Sequence, residues 1–279
     1  MAKRTYYEAL KWASLFIQDN HLDQSAAKYL LQELAHLDQT HLLLKYREPM
    51  SDLLWDWFQV AIQQYVNGRP PQYIIGEAPF YGEQFTVNEN VLIPRQETEE
   101  LVEWVLQEND EQLRTVLDIG TGSGAIGLTL KKQRPKWRLT LTDLSVSAIG
   151  VARANAQQLG VKAELLEGNL LLPVAGRHFD VMVSNPPYIS RDEVGEMDAD
   201  VVQSEPEMAL FADQHGLAIY QQLADQLQQR VATADALYLE IGFQQRLSVT
   251  QIFQQHFPSA AITTRQDIAG HDRMVQIVF

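Results

Sequence analysis

The chain has 279 residues, a formal net charge of −14 and no cysteine. The absence of cysteine excludes disulfide scaffolds, zinc–thiolate sites and thiol nucleophiles, while a hydrophobic content of 46% is enough for a real core. Because the sequence shows no signal-peptide apolar region and no run near the roughly 18 apolar residues of a membrane span, we expect a cytoplasmic protein without a membrane partner.

The first 75 residues predict a small helical module. Ser51 can cap a helix whose apolar residues share one face, and this helix is expected to end at Gly68, before Arg69-Pro70-Pro71. Two earlier helices are predicted near residues 10–17 and 26–34. The following stretch, 76–93, has aromatic and β-branched residues around a glycine, which predicts a β-hairpin linker.

Residues 94–279 alternate between apolar, strand-like runs and helix-like segments. This rhythm predicts an α/β fold with a mostly parallel sheet covered on both faces. The predicted parallel strands are 115–119, 137–142, 163–166, 179–184 and 237–241. Two final runs, 261–264 and 274–279, are expected to form an edge hairpin or late strands.

A glycine-rich turn follows the first of these strands, in the order Gly120, Thr121, Gly122, Ser123, Gly124. Glycines allow the backbone to approach a ligand closely, although the same turn can serve only to pack a helix on a strand. Asp143 ends the second strand, where an acid can accept hydrogen bonds from ribose hydroxyls. Dinucleotides and S-adenosylmethionine both use such a pair, but a dinucleotide motif is spaced G-x-G-x-x-G. Asn169, after the third strand, can contact an adenine edge or form a turn.

An apolar strand ends abruptly in Asn185-Pro186-Pro187-Tyr188. Two prolines can simply terminate a strand. In this combination, however, Asn185 supplies an amide oxygen, the prolines hold carbonyl groups rigidly and Tyr188 offers an aromatic face, so that a planar NH2 group could be gripped and stacked. An amide nitrogen is a poor nucleophile, but accepting both of its N–H hydrogens would orient it and enrich it in electrons. Because S-adenosylmethionine carries a positively charged sulfonium, in-line displacement would then need mainly positioning.

Together these motifs resemble the S-adenosylmethionine-dependent class I methyltransferases that modify a planar nitrogen. Upstream segments are similar to the linker of the peptide chain release factor glutamine methyltransferases, the HemK-type family, and the similarity spans nearly the whole chain. The upstream segments are Gly68-Arg-Pro-Pro-Gln-Tyr-Ile-Ile-Gly76, Phe80-Tyr-Gly82 and Leu92-Ile-Pro-Arg-Gln-Glu-Thr-Glu99; downstream, Glu205-Pro206, Gly216-Leu217 and Tyr220 also fit.

The resemblance implies a Rossmann-like class I methyltransferase sheet over 94–279, a helical substrate-recognition domain over 1–75 and methyl transfer to the glutamine of the Gly-Gly-Gln motif of release factors. S-adenosylmethionine is the implied cofactor, S-adenosylhomocysteine the product, and no metal is expected. The implied cofactor residues are Gly120, Thr121, Gly122, Ser123, Gly124, Asp143, Asn169 and Asn185. The implied acceptor residues are Asn185, Pro186, Pro187 and Tyr188, of which Asn185, Pro186 and Tyr188 are the catalytic candidates.

The sequence departs from the family pattern in two places. Asn169 and Leu170 stand where the family often has an aspartate and an aromatic residue, and Gln96 replaces the proline usual after Ile-Pro-Arg. The neighbouring Arg95, Glu97 and Thr98 can either support the cofactor or cap the following helix, and we favour capping.

Three alternative functions share part of this pattern. A ribosomal-protein glutamine methyltransferase differs mainly in the N-terminal region. An amino-adenine methyltransferase is disfavoured because an acidic chain repels nucleic acid, so no nucleic-acid partner is expected. A regulator that only binds S-adenosylmethionine is disfavoured by the intact Asn-Pro-Pro-Tyr motif. The acidic run 191–207, including Asp198 and Asp200, is hypothesised to receive basic residues around the acceptor loop.

Overall fold

The computed structural model describes residues 4–196 and 199–279, apart from the side chains of residues 196, 199 and 200. The hypothesis that the acidic run 191–207 receives basic residues includes Asp198, which lies outside the described residues, and Asp200, whose side chain lies outside them as well. The chain forms two compact units, one of Met1–Glu77 with Asp198–Ser204 and one of Ala78–Met197 with Glu205–Phe279.

The first unit is helical. Ser51 accepts a hydrogen bond from the Leu54 amide at 3.2 Å and caps the fourth helix, as predicted. A short helix, α5, begins at Pro71, because proline fits the first position of a helix, where no amide donor is needed. The helices are α1 (Tyr6–Asp19), α2 (Ser25–Ala35), α3 (Gln39–Lys45), α4 (Asp52–Val66) and α5 (Pro71–Ile75), with Ala199–Ser204 as α9 by its place in the chain.

Two short strands, β1 (Glu77–Phe80) and β2 (Glu83–Thr86), pair as a two-stranded sheet where the hairpin was predicted. The second unit then builds a seven-stranded sheet. Its strands are β3 (Thr115–Ile119), β4 (Arg138–Asp143), β5 (Ala163–Glu167), β6 (His178–Ser184), β7 (Thr233–Glu240), β8 (Ala261–Gln266) and β9 (Asp272–Val278). Its helices are α6 (Gln96–Glu108), α7 (Ala125–Gln133), α8 (Val146–Gln158), α10 (Glu207–Leu210), α11 (Asp213–Gly216), α12 (Ala218–Gln228) and α13 (Arg246–His256).

The large sheet has the order β5-β4-β3-β6-β7-β9-β8. The first five strands in this order run parallel, and β9 is antiparallel to both β7 and β8. The mostly parallel sheet and the late edge hairpin are thereby confirmed. Within residues 4–196 and 199–279, no helix is long and apolar enough to cross a membrane.

Strand order reverses between β3 and β6, because the chain first builds outward to β5 and then returns to the other side of β3. Ile119, at the end of β3, is in register with Thr142 on one side and with Ser184 on the other. The backbone at Gly120 and that at Asn185 therefore leave the sheet side by side. In open α/β sheets this switch point is where ligands bind.

Side chains from the sheet fill two cores, one on each face. Val116, Val181 and Val183 belong to the core under α6, α7 and α8, whereas Leu117 and Met182 belong to the core under α12 and α13. This alternation is the period of two expected for strands. The sheet is consequently covered on both faces, as the apolar runs predicted.

Helix α7 lies very close to the sheet at Gly127. A Cβ at this position would stand 2.5 Å from Leu141 Cδ2 and 2.9 Å from Asp118 Oδ2. The Gly127 amide also donates a hydrogen bond to Asp118 Oδ2 at 3.0 Å. The glycine thus sets the distance between the helix that follows the glycine-rich turn and the strand that precedes it.

We expect Gly127→Ala to destabilise the protein by about 1–3 kcal/mol, the range typical of overpacked cores. Gly150→Ala is the matched control, since Gly150 lies in α8 with nothing within 4 Å of its added Cβ. That control should stabilise by about 0.5–1 kcal/mol. Urea unfolding of both variants measures the difference; equal stabilities would contradict the close packing.

Candidate active site

A cavity that is partly open to solvent lies at the switch point, and the described residues that line it all belong to the second unit. It receives side chains and backbone from the ends of three parallel strands, β3, β4 and β6, and from the turn after β5. Of the residues predicted for the site, those lining it are Gly120, Thr121, Gly122, Ser123, Asp143, Asn169, Asn185, Pro186 and Pro187.

The glycine-rich turn has the conformation that its sequence predicts. Gly120, Gly122 and Gly124 all have positive φ, at 68°, 55° and 84°, where side chains other than glycine are strained. A Cβ at Gly120 or Gly122 would meet nothing within 4 Å, so the turn faces open space. Gly124 is not among the lining residues; it is the N-cap of α7, and a Cβ at this position would meet the side chains of Leu128 and Ala152.

Asp143 is fixed at the end of β4 by backbone donors. Its Oδ2 accepts from the Gly122 amide and its Oδ1 from the Ser145 amide, both at 2.8 Å. Burial raises the pKa of the Asp143 carboxyl above its ordinary value, although the hydrogen bonds from Ser145 and Gly122 oppose this effect. Each carboxylate oxygen keeps a further lone pair for a ligand hydroxyl.

A second acid, Asp118, lies beneath the turn and is only 1% exposed. Its Oδ2 accepts from Thr121 Oγ1 at 2.6 Å and from the Gly127 amide at 3.0 Å, but its Oδ1 has no hydrogen-bond partner among the residues that the structure describes. Burial raises the pKa of Asp118 to about 6 despite these two donors. The ionised form is thus short of positive partners, which favours a cationic ligand nearby.

Asn155 supports the turn from behind, and the sequence argument missed it. Its amide donates to the Ser123 carbonyl at 2.8 Å and exchanges hydrogen bonds with the Thr86 backbone at 2.7 and 3.0 Å. The fully buried side chain therefore connects the glycine-rich turn to β2. An asparagine in an otherwise alanine-rich, apolar helical face was the only sequence signal for it.

The Asn185–Tyr188 segment separates into two parts. Asn185, Pro186 and Pro187 line the cavity, whereas Tyr188 does not. The Tyr188 ring packs against the core under α12 and its hydroxyl donates to Glu240 Oε1 at 3.3 Å. The Tyr188 carbonyl accepts from Gln245 Nε2 at 2.7 Å. A stacking role for Tyr188 stays a prediction, while its position shows it anchoring the segment.

Gly216 explains one of the downstream resemblances. A Cβ on Gly216, which has φ of +80°, would collide with the Tyr188 carbonyl oxygen. Tyr220, four residues further on, donates its hydroxyl hydrogen to the Glu240 carbonyl at 2.8 Å. Both residues therefore hold the neighbourhood of Tyr188 rather than contact the cavity.

The capping interpretation is wrong for Arg95 and Thr98. Helix α6 begins after Arg95, whose side chain makes no capping hydrogen bond, and Glu97 is an acid of its first turn. Thr98 instead donates its hydroxyl hydrogen to Glu240 Oε2 at 2.7 Å, and Arg95 forms an ion pair with Glu205. Both acidic partners are more than a hundred residues away along the chain, so a local sequence pattern cannot reveal them.

Glu205 and Glu240 are the acids that the site analysis from sequence did not assign. Glu205 is 5% exposed and accepts from the Ile93 amide at 3.2 Å as well as from Arg95, so it fixes the segment that enters the cavity wall. Glu240, at the end of β7, is 2% exposed. Its sequence signal was a single acid within the apolar run 237–241.

The parallel order of β5-β4-β3-β6-β7, the antiparallel β9, the glycine-rich turn and Asp143 at the end of the next strand define a class I methyltransferase. The Methyltransferase small domain family matches residues 97–209, and the PrmC N-terminal domain matches residues 8–76. The chain belongs to the release factor glutamine methyltransferase family.

Relatives in that family match most or nearly all of the chain. The release factor glutamine methyltransferase of Enterococcus faecalis is 43% identical over 98% of this chain and 99% of its own length. That of Streptococcus pneumoniae is 46% identical over 77% of both chains, and that of Bacillus subtilis is 35% identical over 98% and 97%.

Solved structures of lower identity share the fold. The hMettl16 catalytic domain in complex with a 3′UTR hairpin is 15% identical, with a TM-score of 0.60 over 91% of each chain. The T. thermophilus methyltransferase RsmC, in complex with AdoMet and guanosine, is 15% identical with a TM-score of 0.52, over 72% of this chain and 49% of that chain.

The buried Glu240 makes stability depend on pH. Burial raises the pKa of Glu240 from its ordinary value of 4.5 to about 7, against the hydrogen bond from Thr98 and the charge of Arg273. The folded state therefore holds this proton more tightly than the unfolded state, and the stability contributed by protonation is lost as pH rises through about 7.

We expect Glu240→Gln to gain stability relative to the wild type as pH rises from 5 to 8, by about 3 kcal/mol at most. Denaturant unfolding at several pH values measures this difference, with Glu111→Gln as the control at an exposed position. A difference between wild type and Glu240→Gln that is constant from pH 5 to 8 would contradict the raised pKa.

Proposed function

We propose that this protein transfers a methyl group from S-adenosylmethionine to the side-chain amide nitrogen of the Gly-Gly-Gln glutamine in peptide chain release factors. The observation that carries the proposal is the register at the switch point. Gly120 and Asn185 follow Ile119 and Ser184, which pair, so a cofactor turn and an amide-binding segment open into one cavity. Membership of a family whose members are named for this reaction supports it.

The turn fits S-adenosylmethionine in three respects. Gly120 and Gly122 leave space for a close ligand, the Asp143 carboxylate has lone pairs for ribose hydroxyls, and the unpartnered oxygen of Asp118 favours a positive charge. When bound, S-adenosylmethionine supplies an electrophilic methyl group on a positively charged sulfur. The AdoMet complex of RsmC, which shares the fold, supports this assignment.

Asn185 and Pro186 are the residues we assign to the acceptor amide. The Asn185 oxygen accepts an N–H hydrogen of the glutamine, and the backbone carbonyl next to the prolines accepts the second one. Two acceptors orient the amide plane and increase electron density on its nitrogen. Pro186 and Pro187 carry no amide donor that would compete for the same carbonyl groups. The transferred methyl replaces one amide hydrogen, which leaves as a proton to water.

Residues 1–75 are proposed to recognise the protein substrate. Their match to the PrmC N-terminal domain, a domain of this family, supports the assignment. Release factors and ribosomal proteins would offer the same acceptor amide. Recognition by residues 1–75 would therefore distinguish the two kinds of substrate.

The proposed function is tested with purified protein and radiolabelled S-adenosylmethionine. Unmethylated release factor, ribosomal proteins and duplex DNA are offered separately, and mass mapping locates any label. We expect label on the glutamine of the Gly-Gly-Gln motif. Label only on a ribosomal protein or on DNA would overturn the substrate assignment.

Two substitutions should separate cofactor binding from transfer. Asn185→Ala is expected to lower kcat at least about a hundredfold, as removal of a transition-state hydrogen bond does, with cofactor Kd nearly unchanged. Asp143→Ala is expected to raise cofactor Kd about tenfold or more, because hydrogen bonds to a charged acceptor are lost. Calorimetry gives Kd and the methylation assay gives kcat; normal turnover of Asn185→Ala would refute the acceptor role.

A further inference from the structure

A chain of hydrogen bonds leads from the cavity into the buried interior of the second unit. Asn185 Nδ2 donates to Thr98 Oγ1 at 3.2 Å, and Thr98 Oγ1 donates to Glu240 Oε2 at 2.7 Å. Thr98 is 4% exposed and Glu240 2% exposed, while Asn185 is only half-buried and lines the cavity. Thr98 also lines the cavity, whereas Glu240 does not, and the half-buried Asn185 is the more exposed of the two lining residues.

The direction of the chain is fixed by counting hydrogens. An ionised carboxylate accepts hydrogen bonds and donates none, and a threonine hydroxyl has a single hydrogen. Because Thr98 gives that hydrogen to Glu240, its oxygen can only accept from Asn185. An asparagine side chain has one donor end and one acceptor end, so the NH2 end of Asn185 is committed to Thr98 and its Oδ1 is on the opposite side of the amide.

We propose that Thr98 and Glu240 are positioning residues that orient the Asn185 amide so that its oxygen faces the acceptor glutamine. The inference rests on the proposed function and adds the device that sets the polarity of its acceptor site. An Asn185 amide turned by 180° would present NH2 to the NH2 of the substrate, and two donors repel. This chain of hydrogen bonds from Asn185 through Thr98 to Glu240, the relay, therefore selects the orientation of the Asn185 amide that can bind the substrate.

Glu240 is held in place by groups from several elements. Tyr188 donates to its Oε1 at 3.3 Å, Arg273 of β9 supplies positive charge, and Tyr220 of α12 occupies its backbone carbonyl. Arg273 is itself paired with Asp267, Nε to Oδ2 at 3.1 Å. Glu97, beside Thr98 on α6, contributes a negative charge that raises the pKa of Glu240.

Protonation of Glu240 removes the constraint on direction. A protonated carboxyl can donate to Thr98, which can then donate to Asn185 Oδ1, so both orientations of the amide become available. Since burial raises the pKa of Glu240 to about 7, the relay is fixed above neutral pH and loses its direction below it. The orienting effect of Thr98 should therefore depend on pH.

The test compares Thr98→Val, which keeps the shape and removes the hydroxyl, with Thr98→Ser, which keeps the hydroxyl. At pH 8.5 we expect Thr98→Val to lower kcat about tenfold or more at saturating S-adenosylmethionine, and Thr98→Ser to recover most of the loss. Thr129→Val is the control, since the buried Thr129 hydroxyl has no partner among the described residues. Cofactor Kd should be unchanged in all three variants.

A pH profile distinguishes an orienting role of Thr98 from a purely structural one, because a purely structural role would leave the ratio of kcat values independent of pH. The ratio of wild-type kcat to Thr98→Val kcat should shrink toward one as pH falls from 8.5 to 6. The proposal is overturned if Thr98→Val turns over normally, if Thr98→Ser is equally impaired, or if the ratio is independent of pH. A wild type that transfers no label to release factor would instead refute the proposed function, so the two failures are distinguishable.

Discussion

The alignment of strand ends at the β3–β6 switch is the constraint on which the rest of the site depends. Ile119 is bonded into register with both of its neighbours, and Ser184 Oγ reinforces the β6 side by donating to the Ile119 carbonyl at 2.7 Å. The glycine-rich turn, Asp143 and Asn185 consequently leave the sheet at one edge. A shift of one residue in either pairing would turn these groups to opposite faces.

Buried carboxylates are the second recurring feature of this unit. Asp118, Glu205 and Glu240 are all almost inaccessible. Donors from distant parts of the chain hold Glu205 and Glu240, whereas the donors to Asp118 are the nearby Thr121 and Gly127. Removing a charge from water is costly unless hydrogen bonds replace the lost hydration. The raised pKa values of Asp118 and Glu240 show that the replacement is incomplete. The ionised forms of these two acids therefore retain an electrostatic cost in the folded protein.

Local patterns in the sequence correctly predicted the elements whose conformation depends on neighbouring residues. The alternation of apolar runs gave the sheet and its two covered faces, Ser51 gave the start of α4, and the glycine spacing gave the turn. The capping assignment failed because Thr98 and Arg95 are bonded to acids 142 and 110 residues away. Tyr188 likewise contacts a residue of β7, which no pattern around the Asn-Pro-Pro-Tyr motif contains.

The sequence by itself determined the fold class, the family and the residue types of the cofactor turn and the acceptor segment, because short-range spacing and backbone conformation specify them. Only the tertiary structure decided which of these residues line the cavity, that Tyr188 lies behind it, and that Thr98 connects Asn185 to Glu240. The physical reason is that hydrogen-bond direction in a buried network depends on every donor and acceptor around it. Packing brings these partners together, and they lie too far apart in the sequence for a local pattern to predict the contact.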